Sequence, residues 1–349
     1  MKKSCLCVLL LSLFAACVAV TAQASDLHRA VVPVSDHSDK ERNRALRQGL
    51  LEVLVKLSGS RDIGTRPGVQ NLLNNAASYA VEFGYVQLAA GQGLGANFSP
   101  RDLDRFLRDN RLPIWPERRP LLLVWVATEP LDVARGFAGR DDNPALYAEV
   151  DKVFAARGLP VRYPLYDLAD QLTLNIDDAW QLDAEKIAEA STRYGADAWL
   201  LLRCYETSSG TWRVAWMFSG GKNEAAVLEN LDGEDLHTTV TTIGETVVDR
   251  IAAVHSYVPS RDTGQVALTV QGVHDFRSYT ALVDVLSGLS MVRSLDVDSV
   301  ASDSIQLRLG VEGDRKQLLD ALSLVRQLRL PETMPRPGEV LTVNWAVAN

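Results

Sequence analysis

Pro120-Leu121-Leu122-Leu123-Val124-Trp125-Val126-Ala127-Thr128 forms one unbroken apolar run, led in by Leu112-Pro113-Ile114-Trp115-Pro116-Glu117-Arg118-Arg119 and closed by Glu129-Pro130. A strand with one wet face would alternate apolar and polar residues. An unbroken run reads instead as a strand buried on both faces, so layers must pack above and below it. Proline cannot donate to a ladder, and its placement fixes where the strand begins and ends.

Downstream, the pattern supplies that cover. Pro144 to Arg157 reads as a helix, and Gly158 to Pro164 as a short strand or turn. Asp183 caps a helix carrying Ile187, Ala190 and Tyr194, and Gly195 stops it. Ala198 to Cys204 is a second buried run. It is joined through the turn Thr207-Ser208-Ser209-Gly210 to the alternating stretch Trp212 to Phe218, which predicts a hairpin. Gly233 to Val254 is amphipathic, with Val240, Ile243, Val247, Ile251 and Val254 on one side. Strands alternating with helices point to an α/β layer.

Upstream, Asp26 to Val34 predicts a first strand. Ser38-Asp39-Lys40-Glu41 carries a capping-box pattern ahead of a helix with Leu46, Leu50, Val53, Leu54 and Leu57 in one stripe, closed by Gly59. Pro67 to Ala76 predicts a short helix, Tyr79 to Leu88 a strand, and Ser99 to Asn110 a capped helix with proline in its first turn. Between them, Gly91-Gln92-Gly93-Leu94-Gly95-Ala96 matches the G-x-G-x-x-A form of a dinucleotide loop. Asn97 and Phe98 intervene before the helix, and no acidic strand end follows at the required distance, so a surface loop is the expectation.

Beyond Pro259-Ser260-Arg261-Asp262-Thr263-Gly264, which marks a boundary, the order is strand (Gln265–Gln271), helix (Asp275–Leu286), two strands (Met291–Val297 and Ser304–Leu309), helix (Asp314–Val325) and strand (Val340–Ala346). That is the β-α-β-β-α-β order of a ferredoxin-like module. The expected fold class is therefore α/β plus α+β: small mixed-sheet α/β modules followed by a C-terminal ferredoxin-like βαββαβ module. The expected divisions are a leader over 1–24, modules over 25–115 and 116–258, and the ferredoxin-like module over 263–349.

The leader reads as export. Met1-Lys2-Lys3 is a positive start, Cys5 to Val20 an apolar run, and Thr21-Ala22-Gln23-Ala24 a small-residue cleavage site. Cleavage after Ala24 and export to the periplasm are expected. Lipid attachment at Cys17, giving an outer-membrane lipoprotein, is the alternative, and retention as an anchor a weaker one, because the run is short for a membrane span. Cleavage leaves Cys204 as the only cysteine, so no internal disulfide holds the mature chain. It also takes 36 basic against 44 acidic residues to 34 against 44, a net charge of −10. That balance disfavours nucleic acid and anionic lipid as partners, and no second apolar run is long enough to span a membrane.

Few residues point to chemistry. His28, His37, His237, His255 and His274 are scattered without metal-ligand spacing, and there is no G-x-S-x-G elbow. Ser219-Gly220-Gly221-Lys222 lacks Walker spacing, and Asp141-Asp142 and Asp177-Asp178 suit loops and helix starts. No catalytic residue, metal or cofactor is expected. Two candidate binding regions stand out. One is the loop beyond the central strand, with Glu129, Arg135, Arg140, Asp141 and Asp142, because ligands gather at the carboxyl ends of strands in open α/β sheets. The other is the hairpin face of Trp212, Val214, Trp216 and Phe218, which could stack sugars or simply be core.

Ala45…Leu50…Val53-Leu54…Lys56-Leu57-Ser58-Gly59-Ser60-Arg61-Asp62, together with Leu112-Pro113-Ile114-Trp115…Arg119-Pro120…Leu122-Leu123-Val124-Trp125, resembles the proteobacterial exported proteins grouped as domain of unknown function 2066 (DUF2066), over nearly all of the mature chain. The resemblance implies a Gram-negative envelope protein and brings no catalytic residues with it. Tyr194-Gly195-Ala196-Asp197-Ala198-Trp199-Leu200-Leu201 is similar, at the level of fold, to α/β modules of envelope assembly proteins such as the TolB amino-terminal domain. The expected function is a non-catalytic envelope-associated interaction or assembly protein with an envelope protein partner. The alternatives are a periplasmic hydrolase or wall-modifying enzyme, and a small-ligand-binding regulator.

Overall fold

The computed structural model of the protein describes residues 27–221, 224–260, 263–331 and 340–346. The leader, Cys17 and Lys222 lie outside them. Three sheets carry the fold, each built from one contiguous part of the chain.

The first sheet has β1 (Arg29–Val34), β2 (Ala80–Leu88) and β3 (Gly91–Phe98), in the order β1-β3-β2. Helix α1 (Asp39–Ser58) buries Leu46, Leu50, Val53, Leu54 and Leu57 in the core beneath it. The short helices α2 (Val69–Asn74) and α3 (Ala76–Tyr79) and then α4 (Pro100–Asp109) complete the unit. The start of α1 follows only half of the capping box. Ser38 Oγ accepts from Glu41 N, but the Glu41 carboxylate accepts from Ser35 N rather than from Ser38 N, which donates to Asp36.

The glycine-rich stretch is the main departure from expectation: Gly91 to Ala96 is no surface loop but most of β3, the middle strand. Leu94, Ala96 and Phe98 face the core, while Gly93 and Gly95 face away. A Cβ on Gly93 would meet Leu88 Cδ1 at 2.8 Å and Val31 Cγ1 at 3.2 Å. Neighbouring strands thus lay their side chains across the bare glycines, and alternation with glycine leaves little hydropathy signal.

The second sheet contains the opening run as β4 (Leu122–Glu129), buried on both faces along Leu122 to Ala127. Its neighbour β7 (Ala198–Glu206) runs parallel to it, followed by β8 (Trp212–Ser219) and β9 (Val227–Gly233), both antiparallel. Two short strands, β5 (Gly136–Phe137) and β6 (Val161–Arg162), pair with opposite ends of the remaining edge of β4. On one face, α5 (Pro144–Ala156) and α9 (Leu236–His255) pack over Val124, Val126, Leu202, Cys204 and Trp216. These helices approach so closely that a Cβ on Gly244 would lie 2.8 Å from Val153 Cγ1. On the other face, α7 (Ile176–Gln181) and α8 (Ala184–Thr192) cover Leu123, Trp125 and Leu201, with α6 (Leu168–Thr173) preceding them. The result is a three-layer α/β/α unit, as the apolar run requires.

The third sheet has β10 (Gly264–Gln271), β11 (Val292–Val300), β12 (Ser304–Val311), β13 (Leu328–Arg329) and β14 (Leu341–Trp345), in the order β11-β12-β10-β14-β13, with helices α10 (Phe276–Ser287) and α11 (Arg315–Ser323). The strand–helix order is the one expected, with one addition. The two-residue β13 forms the sheet edge, and β14 lies between it and β10, parallel to β10. The first and third units share a continuous apolar core through Ile114 and Tyr257, which also form a backbone bridge.

Candidate functional site

The loop beyond β4 does not gather its charged residues. Arg135 stands over the Trp180 ring at 5.2 Å and 3.9 Å from Asp177, on the α7 side of the sheet. Arg140 pairs with Asp151 at 2.9 Å and lies over Tyr163 at 4.9 Å, on the α5 side. Asp142 accepts from Gly139 N at 2.8 Å, shaping its own turn, while Asp141 is exposed and Glu129 half-buried at the strand end. The structure thus sends the two arginines to opposite faces. The aromatic hairpin face is core: Val214, Trp216 and Phe218 lie under α9, Trp216 is 2% exposed, and Trp212 is half-buried against the same cluster.

Tyrosines tie down the segment between α5 and α8. Tyr166 Oη accepts from Val126 N at 3.0 Å, Tyr163 donates to Asp151 at 2.7 Å and Tyr194 donates to the buried Asp170 at 2.5 Å. Burial raises the phenols of Tyr147 and Tyr194 to about 12, so they serve as neutral donors. Cys204 is wholly buried and its thiol is pushed up to about 12 by that burial, which removes it as a nucleophile. Among the described residues, no group of three or more His, Cys, Asp and Glu is placed to hold a metal.

A second cluster joins the first two units. Arg119 lies 3.9 Å from the Trp115 ring centroid and donates to the carbonyls of Lys56 (2.5 Å) and Arg157 (2.6 Å). Burial, with Arg157 nearby, lowers its guanidinium to about 9. Arg157, 2% exposed, donates to Glu245 (2.5 Å), Asp249 (2.8 Å) and the carbonyl of Gly59 (2.7 Å). The Leu-Pro-Ile-Trp lead-in and the Ser-Gly-Ser-Arg turn after α1 are therefore each held by a buried arginine, Arg119 at Trp115 and Arg157 at the Gly59 carbonyl.

A cleft of about 750 Å³ opens between the second and third units. One wall is α8 and the loop into β7, the other the end of α11 and β13, and the end of β8 closes one side. Glu185, Glu189, Asp197 and Glu224 line the first side, Arg326 and Arg329 the second, and Trp199 the floor. Asp197 accepts from Leu121 N at 2.8 Å. Just behind, burial raises the Asp320 carboxyl, with Glu224 adding like-charge pressure. No expected site residue falls here. The cleft lies at the opposite end of β7 from the Glu129 loop and draws on residues far apart in sequence, so no local motif marks it.

The fold and this cleft define a mixed α/β protein of three sheets with a concavity between units. Residues 21–116 match a family model described as Domain of unknown function (DUF8605). That match corrects the resemblance to DUF2066: the domain is a different one, and it covers the first unit rather than nearly the whole chain. No curated protein matches the chain. A solved structure titled as lipoprotein GNA1162 from Neisseria meningitidis is 16% identical, over 38% of this chain and 95% of that one, with a TM-score of 0.23. Another, of an uncharacterized protein, is 11% identical over 39% of this chain and 88% of that one, with a TM-score of 0.16. Neither superposition is close enough to transfer a fold or a role. Among the described residues, no helix is long and apolar enough to cross a membrane.

Proposed function

We propose that this chain is an exported, periplasmic protein that works in the envelope by docking an extended strand of another envelope protein against its first sheet. The observation that carries this reading is the edge of that sheet. Strand β2 has nine residues, only Glu82 charged, no proline, and no strand beside it among the described residues other than β3. Val81, Phe83 and Tyr85 are 72%, 46% and 39% exposed. Edges of this length are ordinarily blunted by charge, proline or a covering element, because their free amides and carbonyls template another strand. Strand addition at such an edge is a common mode of protein recognition. The export leader supports the compartment.

A photo-crosslinking amino acid placed at Val81, compared with one at the equally exposed Leu172 in the second unit, tests the reading in intact envelopes. A discrete product specific to position 81, lost when Phe83 is replaced by proline, is expected. Identical products from both positions, or none from position 81, would remove the proposal. Mass spectrometry of the mature amino terminus chooses between Ser25 and an acylated Cys17.

A further inference from the structure

We propose that the cleft between α8 and β13 binds a short zwitterionic peptide, its ammonium group against Glu185, Glu189 and Glu224 and its carboxylate against Arg326 and Arg329. The volume, about 750 Å³, lies within the roughly 300–1,000 Å³ of small-molecule sites, which favour the seams between structural units. The two walls carry opposite charge and are contributed by different units. Among the described residues, none of these five side chains is engaged in an ion pair across the cleft or elsewhere.

Elsewhere in the molecule, arginines that face carboxylates close onto them: Arg157 and Arg193 each hold two, and Arg108 joins Asp104 and Glu312. Opposed, unpaired arrays lining a concavity focus field between them, and a ligand carrying both signs satisfies both at once. A monovalent anion or cation would satisfy only one wall. Trp199, 7% exposed on the floor, and the exposed Ala188 on the α8 wall add apolar surface suited to small side chains. Carboxylates outnumber arginines along the lining, so a peptide with an additional amine is preferred over one with an additional acid.

The test is calorimetric titration of the mature full-length protein with Lys-Ala-Ala bearing free termini, at low salt. Saturable binding is expected, weakened at least tenfold by acetylating and amidating the termini and falling as salt rises. Two double variants, Arg326→Glu with Arg329→Glu and Glu185→Lys with Glu189→Lys, alter only exposed side chains, so unchanged melting temperatures are expected alongside tenfold or greater loss of affinity. Absence of saturable binding up to millimolar peptide would overturn the proposal. So would equal binding of the blocked peptide, or unaltered affinity in both variants. The cleft and the β2 edge lie on different units, so each proposal can fail without the other.

Discussion

Arg157 has almost no access to water, yet its guanidinium meets two carboxylates and a carbonyl drawn from two other parts of the chain. Both terminal nitrogens are paired, and only Nε is left without a partner, which is how a charge this buried is tolerated. Gly59, whose carbonyl it holds, has φ of 69°, and a Cβ there would come within 2.8 Å of Ala252, so the turn that presents this acceptor is itself restricted to glycine. Arg157→Ala is expected to lower unfolding stability by about 3 kcal/mol, the low end of the cost of breaking a buried pair, because Glu245 and Asp249 still reach solvent. Arg61 is half exposed and shares the same carboxylates. Its alanine variant should lose less than about 1 kcal/mol. Urea titration of the two variants measures the difference, and equal losses would show that burial does not set the value of this cluster.

Among elements, the ones that bury a continuous or periodic apolar pattern are also the ones legible in the sequence. Leu122 to Ala127, Ala198 to Cys204 and the stripe of α9 declare themselves because the side chains carry the signal. Strand β3 hid behind Gly93 and Gly95. Strand β9 hid because it is a mostly exposed edge, and α6 and α7 because they are only six residues each, held by the caps Asp167 and Asn175. The tryptophan of β4 repays its legibility with packing. Trp125 is fully buried among Phe137, Tyr166 and Tyr194, and its indole donates to Ser191 Oγ at 3.0 Å. Trp125→Ala should cost about 3–5 kcal/mol, read from denaturant midpoints, whereas Trp125→Phe should recover most of that. The cleft was invisible for a different reason: Glu189 and Arg326 are ordinary surface residues until the units bring them opposite each other.

At the scale of the whole molecule, the modular pattern of the sequence understates how far the units are merged. Arg108 of α4 pairs with Glu312 of the third unit and donates to the carbonyl of Ser290, and Tyr257 donates to that same carbonyl. His255 sits at the seam, lining one cavity with Pro120 and Phe218 of the second unit and another with Leu289 and Met291 of the third. Burial lowers its imidazole from 6.5 to about 4. The unfolded chain therefore binds the proton first, and stability is lost as pH falls from about 6.5 toward 4 and is complete above that window. His255→Phe should flatten the fall across this range by up to about 3 kcal/mol, the full value of such a shift. Thermal melts at pH 7, 5.5 and 4 check it, and parallel curves for variant and native protein would assign the acid sensitivity to other groups.

The same burial that silences Cys204 makes it a clock. Its sulfur lies beneath α5 and α9 in the second unit's core, so a thiol reagent can reach it only when those helices lift from the sheet. The rate at which the mature chain takes up such a reagent in native buffer then measures how often that layer opens. Repeating the measurement with a bound partner or peptide would report whether either one holds the molecule shut, without introducing a cysteine.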